Sequence, residues 1–250
     1  MINVVEKAKG SSLLSIILAL AATVLVIELS GLIANPVSEF LKLNFELNFY
    51  TGNVITKFFM LLFSILAILL INGGRLKGFG FKIPSKFGYV RLILLTIGIA
   101  LASFIFGSIV FIAILNSVFP IESIGGSAIG FPEQQSLLEI ILTVWIWSSL
   151  CEEVLTRGLL QGVIQHLDSK KFLRLSLPVW ISGIFFGLMH TRLIYGGMSF
   201  WFVAFVVFNT SIIGLLAAYY REKTGSIFPA FLVHVLANIV GFMPSIIFNA

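Results

Sequence analysis

Long apolar stretches alternate with short polar interruptions along almost the whole chain. Each apolar stretch is about as long as the roughly 20 residues that a helix needs to cross a bilayer. Pro36, Pro120 and glycine pairs at 73–74 and 125–126 are among the predicted breaks. The pattern therefore predicts an all-α, polytopic transmembrane bundle of about seven helices. They are expected near residues 13–33, 54–71, 89–115, 137–164, 177–194, 200–220 and 228–248.

Composition supports the bilayer as the solvent of this chain. Its residues are 58% hydrophobic and 11% charged, whereas soluble domains carry about 25% charged residues. No linker rich in proline, glycine and serine divides the sequence, so residues 1–250 are expected to form a single membrane domain. The first apolar stretch exceeds the roughly 7 to 15 residues of a secretory signal, which favours an uncleaved helix.

Basic residues concentrate in alternate interruptions, and positive loops stay on the cytoplasmic side of a membrane. This predicts an integral, multi-pass protein with a cytoplasmic N-terminus, in what we expect to be a prokaryotic cell membrane. Topology and anionic lipid then account for the net charge of +5, so nucleic acid is not an expected partner. Lys42, Lys57 and Arg192 are predicted to lie outward. The predicted cytoplasmic residues are Lys7, Lys9, Arg75, Lys77, Lys82, Lys86, Arg91, Lys170, Lys171, Arg174, Arg221 and Lys223.

The predicted fourth helix carries three ionisable residues close together, although each such group costs a few kcal/mol in the hydrocarbon region. Glu153 and Arg157 are four residues apart, so they lie on one helical face and should form an ion pair. Glu152 is rotated from Glu153 by about 100°. We therefore expect Glu152 to be left available for chemistry.

Two later helices offer polar side chains that can meet this acid. His190 shares a stripe with Gly183 and Gly187, and small residues at this spacing let helices approach closely. His234 and Asn238 lie four apart on the last helix. Counted at 1.5 Å per residue from the cytoplasmic ends, Glu152 and His190 lie about 18 and 20 Å deep. The depths predict one shared site, reached from the cytoplasmic side.

These motifs resemble those of the CAAX-processing and bacteriocin-processing (CPBP, Abi/Rce1-like) family of intramembrane peptidases. The resemblance covers a motif-bearing core at residues 136–242. Thr156 stands where many members have an aromatic residue before the arginine. The matching residues are Glu152, Glu153 and Arg157 in the first motif, Phe186 and His190 in the second, and His234 and Asn238 in the third.

The resemblance implies an intramembrane endopeptidase that uses activated water. Glu152 with His190 would activate the water, and His234 with Asn238 would hold the oxyanion. Glu153, Arg157 and Phe186 would be structural support. The expected partners are the lipid bilayer and a membrane-bound peptide or protein substrate, prenylated or bearing a leader. We favour a mechanism without a metal, but the sequence leaves open a zinc-like divalent site of Glu152, His190 and His234.

Other functions and mechanisms compare less well with the sequence. An aspartyl protease needs two aspartates and the chain has only Asp168; a Gly-x-Ser-Gly motif and an HExxH zinc motif are also missing. A thiol beside a carboxylate in apolar surroundings should be inert, which disfavours Cys151 as nucleophile. Two non-proteolytic alternatives remain: a membrane scaffold or regulator of a sensor kinase that kept the fold, and a transporter with a buried charge relay.

Overall fold

The computed structural model describes residues 12–45, 49–84, 87–120 and 136–248, and these ranges contain seven helices. A hairpin of two short strands, β1 (Lys171–Phe172) and β2 (Leu175–Ser176), connects α4 to α5. The predicted all-α membrane bundle is confirmed. Lys7, Lys9, Lys86 and the predicted break at 125–126 lie outside the described residues. The helices are α1 (Ser12–Phe45), α2 (Phe49–Ile71), α3 (Tyr89–Val118), α4 (residues 137–167), α5 (Leu177–Ile194), α6 (Phe200–Thr224) and α7 (Ile227–Phe248).

Helix α1 continues well past its predicted end. Pro36 was expected to stop it, but the helix runs through this proline to Phe45. A proline inside a helix removes one backbone donor. In a bilayer, however, an unwound backbone would leave several polar groups without partners, which favours a continuous helix in spite of the proline.

Five helices of the described chain are long and apolar enough to cross a membrane: α1, α2, α3, α5 and α6. The apolar part of α7, Ile227–Met243, is shorter. Helix α4 differs from the others because every residue from Cys151 to Gln161 is buried. It contacts α1, α2, α5 and α7, and it donates hydrogen bonds to α6. Its polar residues are therefore enclosed by protein rather than exposed to lipid.

Helices α5 and α6 touch backbone to backbone. A Cβ added at Gly183 would lie 2.7 Å from the backbone nitrogen of Leu215, and one added at Gly214 would lie 2.6 Å from the carbonyl oxygen of Gly183. A Cβ at Gly187 would lie 2.7 Å from the carbonyl oxygen of Val207. The predicted role of the glycine stripe in close helix approach is confirmed. This contact turns the face of α5 that carries Phe186 and His190 toward the bundle.

The connection between α2 and α3 folds back over the end of the bundle that carries the basic loops. Phe79 is buried against Leu155, Leu159 and Gly162 of α4. Arg221 Nη2 donates to the carbonyl of Gly78 at 3.0 Å. The backbone N–H of Ile227 and the hydroxyl of Ser226 donate to the carbonyls of Gly80 and Lys82. These contacts close this end around the C-terminal half of α4.

Candidate active site

The Glu153–Arg157 pair predicted from the four-residue spacing is present at the centre of the bundle. Arg157 Nε lies 3.2 Å from Glu153 Oε2, and neither side chain is exposed. These two atoms do not form a hydrogen bond, so the two charges interact as an ion pair. Arg157 Nη2 donates to the carbonyl of Gly214 at 3.0 Å. The guanidinium also lies 4.7 Å from the ring centroid of Phe186, where a cation–π contact is favourable.

Glu152 is not left unpaired, because a lysine from α2 reaches it. Lys57 Nζ donates to Glu152 Oε1 at 2.5 Å. The charge pattern predicts Lys57 among the outward residues, but it lies within α2 with its side chain 13% exposed. The available signal was a lone ionisable residue four positions after Asn53, inside an apolar stretch. That spacing puts both polar groups on one face of α2.

His234 lies between the two glutamates. Its Nδ1 is 3.1 Å from Glu153 Oε1, and its Nε2 is 3.8 Å from Glu152 Oε2. The ring also packs edge-on against Phe186, with centroids 5.0 Å apart. Since a carboxylate only accepts hydrogen bonds, Nδ1 is the donor to Glu153. This leaves Nε2 as the atom that faces Glu152.

His190 is oriented by its own helix. Its Nδ1 lies 2.8 Å from the carbonyl oxygen of Phe186, and a carbonyl can only accept, so this nitrogen carries a proton. In a neutral imidazole Nε2 is then a free acceptor. His190 is an electrostatic neighbour of Glu152, but no hydrogen bond between them is found among the described residues. The structure thus brings the predicted pair into one region without direct contact.

A layer of small polar side chains lies beside Glu152, toward the N-terminal end of α4. Asn238 Nδ2 donates to Ser149 Oγ at 3.0 Å, and Asn53 Nδ2 donates to Ser148 Oγ at 3.1 Å. Asn238 stands one helical turn after His234 on α7. Asn238, one of the predicted site residues, therefore bonds to Ser149 rather than to Glu152.

The two ends of the site differ in how they are enclosed. From Cys151 to Gln161, helix α4 is completely buried, and the connection that contains Phe79 covers its basic end. In contrast, Asn53, His190 and Asn238 are partly exposed. The described residues therefore do not support the predicted entry from the basic end. They favour entry from the end where α4 begins.

The arrangement does not fit the three-ligand metal site that the sequence leaves open. Among the described residues, no three His, Cys, Asp or Glu side chains form a group that could hold a metal ion. Glu152 Oε1 is taken by the Lys57 ammonium, whose charge would repel a cation. Cys151, the free cysteine, is also buried.

Comparison with known proteins identifies the segment that contains these motifs. Residues 134–240 match the family model described as "Type II CAAX prenyl endopeptidase Rce1-like". The match confirms the resemblance predicted from the three motifs and includes all of their residues. Lys57 and Asn53 lie outside the matched segment. No curated protein and no solved structure matches the chain.

Proposed function

We propose that this chain is an endopeptidase of the type II CAAX prenyl, Rce1-like kind, whose family model matches residues 134–240, and that its Glu152 activates the water that cleaves the substrate. The family match and the long apolar helices support an integral, multi-pass membrane endopeptidase of the CAAX type, with a peptide or protein substrate at the bilayer. The mechanism and the more specific substrate class are our proposals.

The observation that carries the mechanism is the environment of Glu152. Its carboxylate is fixed through Oε1 by Lys57, while Oε2 faces His234 at 3.8 Å. The free Nε2 of His190 provides a second acceptor nearby. A water placed between these acceptors can lose a proton to one of them as its oxygen attacks the peptide carbonyl. This is general-base chemistry without a metal.

The remaining polar groups can serve the later steps. The attack forms a tetrahedral intermediate whose oxyanion needs donors about 2.7–3.1 Å away. Asn238 Nδ2 and a protonated His234 Nε2 are the candidates, which requires Asn238 to release Ser149 when substrate binds. The C–N bond then breaks, and the proton taken from water passes to the leaving amine. Glu153 and Arg157 hold His234 and the backbone of α6 in place.

The basic loops support a cytoplasmic N-terminus, as the sequence predicts. In that orientation the less enclosed end of the site, where α4 begins, faces away from the cytoplasm. We propose that the scissile segment of a prenylated or leader-bearing substrate enters from there. This placement replaces the cytoplasmic entry expected from the motif depths alone.

Peptide release from membranes tests the proposed function. Membranes that contain the wild-type protein, Glu152→Gln or His190→Ala are incubated, and the released peptides are identified by mass spectrometry. We expect released peptides from the wild type and from neither variant, because each variant loses one acceptor for the water proton. Peptide release is compared at equal membrane amounts of the three proteins.

Asp168→Asn is the matched control, since Asp168 is an exposed acid in the basic connection after α4. It should release the same peptides as the wild type. Equal release by Glu152→Gln would overturn the mechanism and would favour a scaffold or regulator that kept the fold.

A further inference from the structure

Lys57, like Asn53, belongs to the site but lies outside the family motifs and the matched segment. It is carried by α2, whereas the matched residues begin at position 134. Its ammonium nevertheless makes the shortest polar contact of Glu152, at 2.5 Å. The contact joins residues 95 positions apart in the chain.

Helix α2 is fixed against α4 at the height of this contact. One turn before Lys57, Asn53 Nδ2 donates to Ser148 Oγ at 3.1 Å. Trp147 Nε1 donates to the backbone carbonyl of Val54 at 3.2 Å. These two bonds set the register of the helices, so that Lys57 meets Glu152.

The charges of the described site balance only when Lys57 is included. Glu153 is paired with Arg157, whose other donors go to Thr156 and to the carbonyl of Gly214. Among the described residues, Arg157 makes neither a hydrogen bond nor an ion pair with Glu152, whose ion-pair partner is Lys57. An unpaired buried carboxylate is costly and tends to take up a proton. Without Lys57, Glu152 would lose the charged form that a general base needs.

We propose that Lys57 is a positioning residue for Glu152, holding Oε1 so that the charged Oε2 faces the reaction space beside His234 and His190. The inference rests on the proposed function and extends its machinery to α2. Lys57 itself need not touch the substrate. Its contribution is expected in the rate of the chemical step rather than in substrate binding.

Steady-state kinetics separate positioning from general support of the fold. The purified full-length chain, Lys57→Met and Lys57→Arg are assayed in liposomes, with a fluorogenic peptide that copies a cleavage site found by the release experiment. Methionine keeps most of the side-chain volume without the charge, so kcat should fall roughly 100-fold or more. KM should stay within about twofold, because the variant loses an interaction of the transition state. Arginine should restore most of the lost rate, although its fork shape differs from an ammonium.

Lys42→Met is the control, since Lys42 is an exposed lysine near the end of α1. It should leave kcat and KM unchanged. A kcat for Lys57→Met equal to that of the wild type would overturn the positioning role, as would a loss confined to KM.

Thermal unfolding in detergent tests the pair without any activity measurement. Lys57→Met and Glu152→Gln should each lower the melting temperature, since each leaves one buried charge alone. The decrease in melting temperature of the double variant should be well below the sum of the two single decreases. Additive losses would overturn the pairing. A wild-type protein without peptidase activity would instead overturn the proposed function, whatever the melting data show.

Discussion

At the scale of single residues, the site is a row of two cations and two carboxylates, with His234 between the carboxylates, enclosed by protein. Lys57, Glu152, His234, Glu153 and Arg157 follow one another through contacts of 2.5 to 3.8 Å. Isolated charges of this kind are expensive inside a membrane. Each of the two adjacent carboxylates therefore has its own cation, Lys57 for Glu152 and Arg157 for Glu153. The same network serves stability and chemistry, and substitutions at its two ends should therefore have different effects.

Arg157→Ala should destabilise the folded protein, because it leaves Glu153 as an uncompensated buried charge. The expected loss in the free energy of unfolding is about 3 to 5 kcal/mol. Thermal melting in detergent measures the change. Arg192→Ala is the matched control, since Arg192 pairs with Glu28 while their side chains are 50% and 61% exposed; it should cost about 1 kcal/mol or less. Equal melting temperatures for Arg157→Ala and the wild type would refute the structural role.

At the scale of helices, the sequence predicts the bundle well because the bilayer restricts the chain to helices. Its periodicity also predicts the Glu153–Arg157 pair, which depends on one helix alone. It does not predict that Lys57 meets Glu152, since that contact depends on how α2 packs against α4. The continuation of α1 through Pro36 is missed for a related reason. The cost of a proline is local, but the penalty for an unwound backbone in lipid comes from the surroundings.

Gly183→Ala should separate α5 from α6 and so disturb His190. The added Cβ would lie 2.7 Å from a backbone nitrogen that cannot move independently, and overpacking of this kind costs about 1 to 3 kcal/mol. Gly98→Ala is the control, because a Cβ on Gly98 of α3 meets nothing within 4 Å. It should be neutral or stabilising by up to about 1 kcal/mol. Melting temperatures that fall equally for both variants would contradict the close contact of α5 with α6.

At the scale of the whole molecule, the two ends of the bundle have different tasks. The end with the basic loops is closed by Phe79, Arg221 and their neighbours, and it surrounds the buried half of α4. The opposite end holds the partly exposed polar groups His190 and Asn238. A closed end can hold the charged network in place, and we propose that water and an extended peptide enter at the other end. Orientation in the membrane therefore decides on which side substrates are cut.

Site-directed cysteine labelling tests this orientation. Ser169→Cys lies in the exposed connection after α4, and Tyr195→Cys replaces a residue that is 92% exposed at the opposite end. With the basic loops inside, an impermeant maleimide should label Tyr195→Cys in intact cells, but Ser169→Cys only after the cells are opened. The wild-type chain is the control, since its one cysteine, Cys151, is buried and should not react. Labelling of Ser169→Cys in intact cells, with Tyr195→Cys protected, would reverse the orientation and place cleavage on the cytoplasmic side.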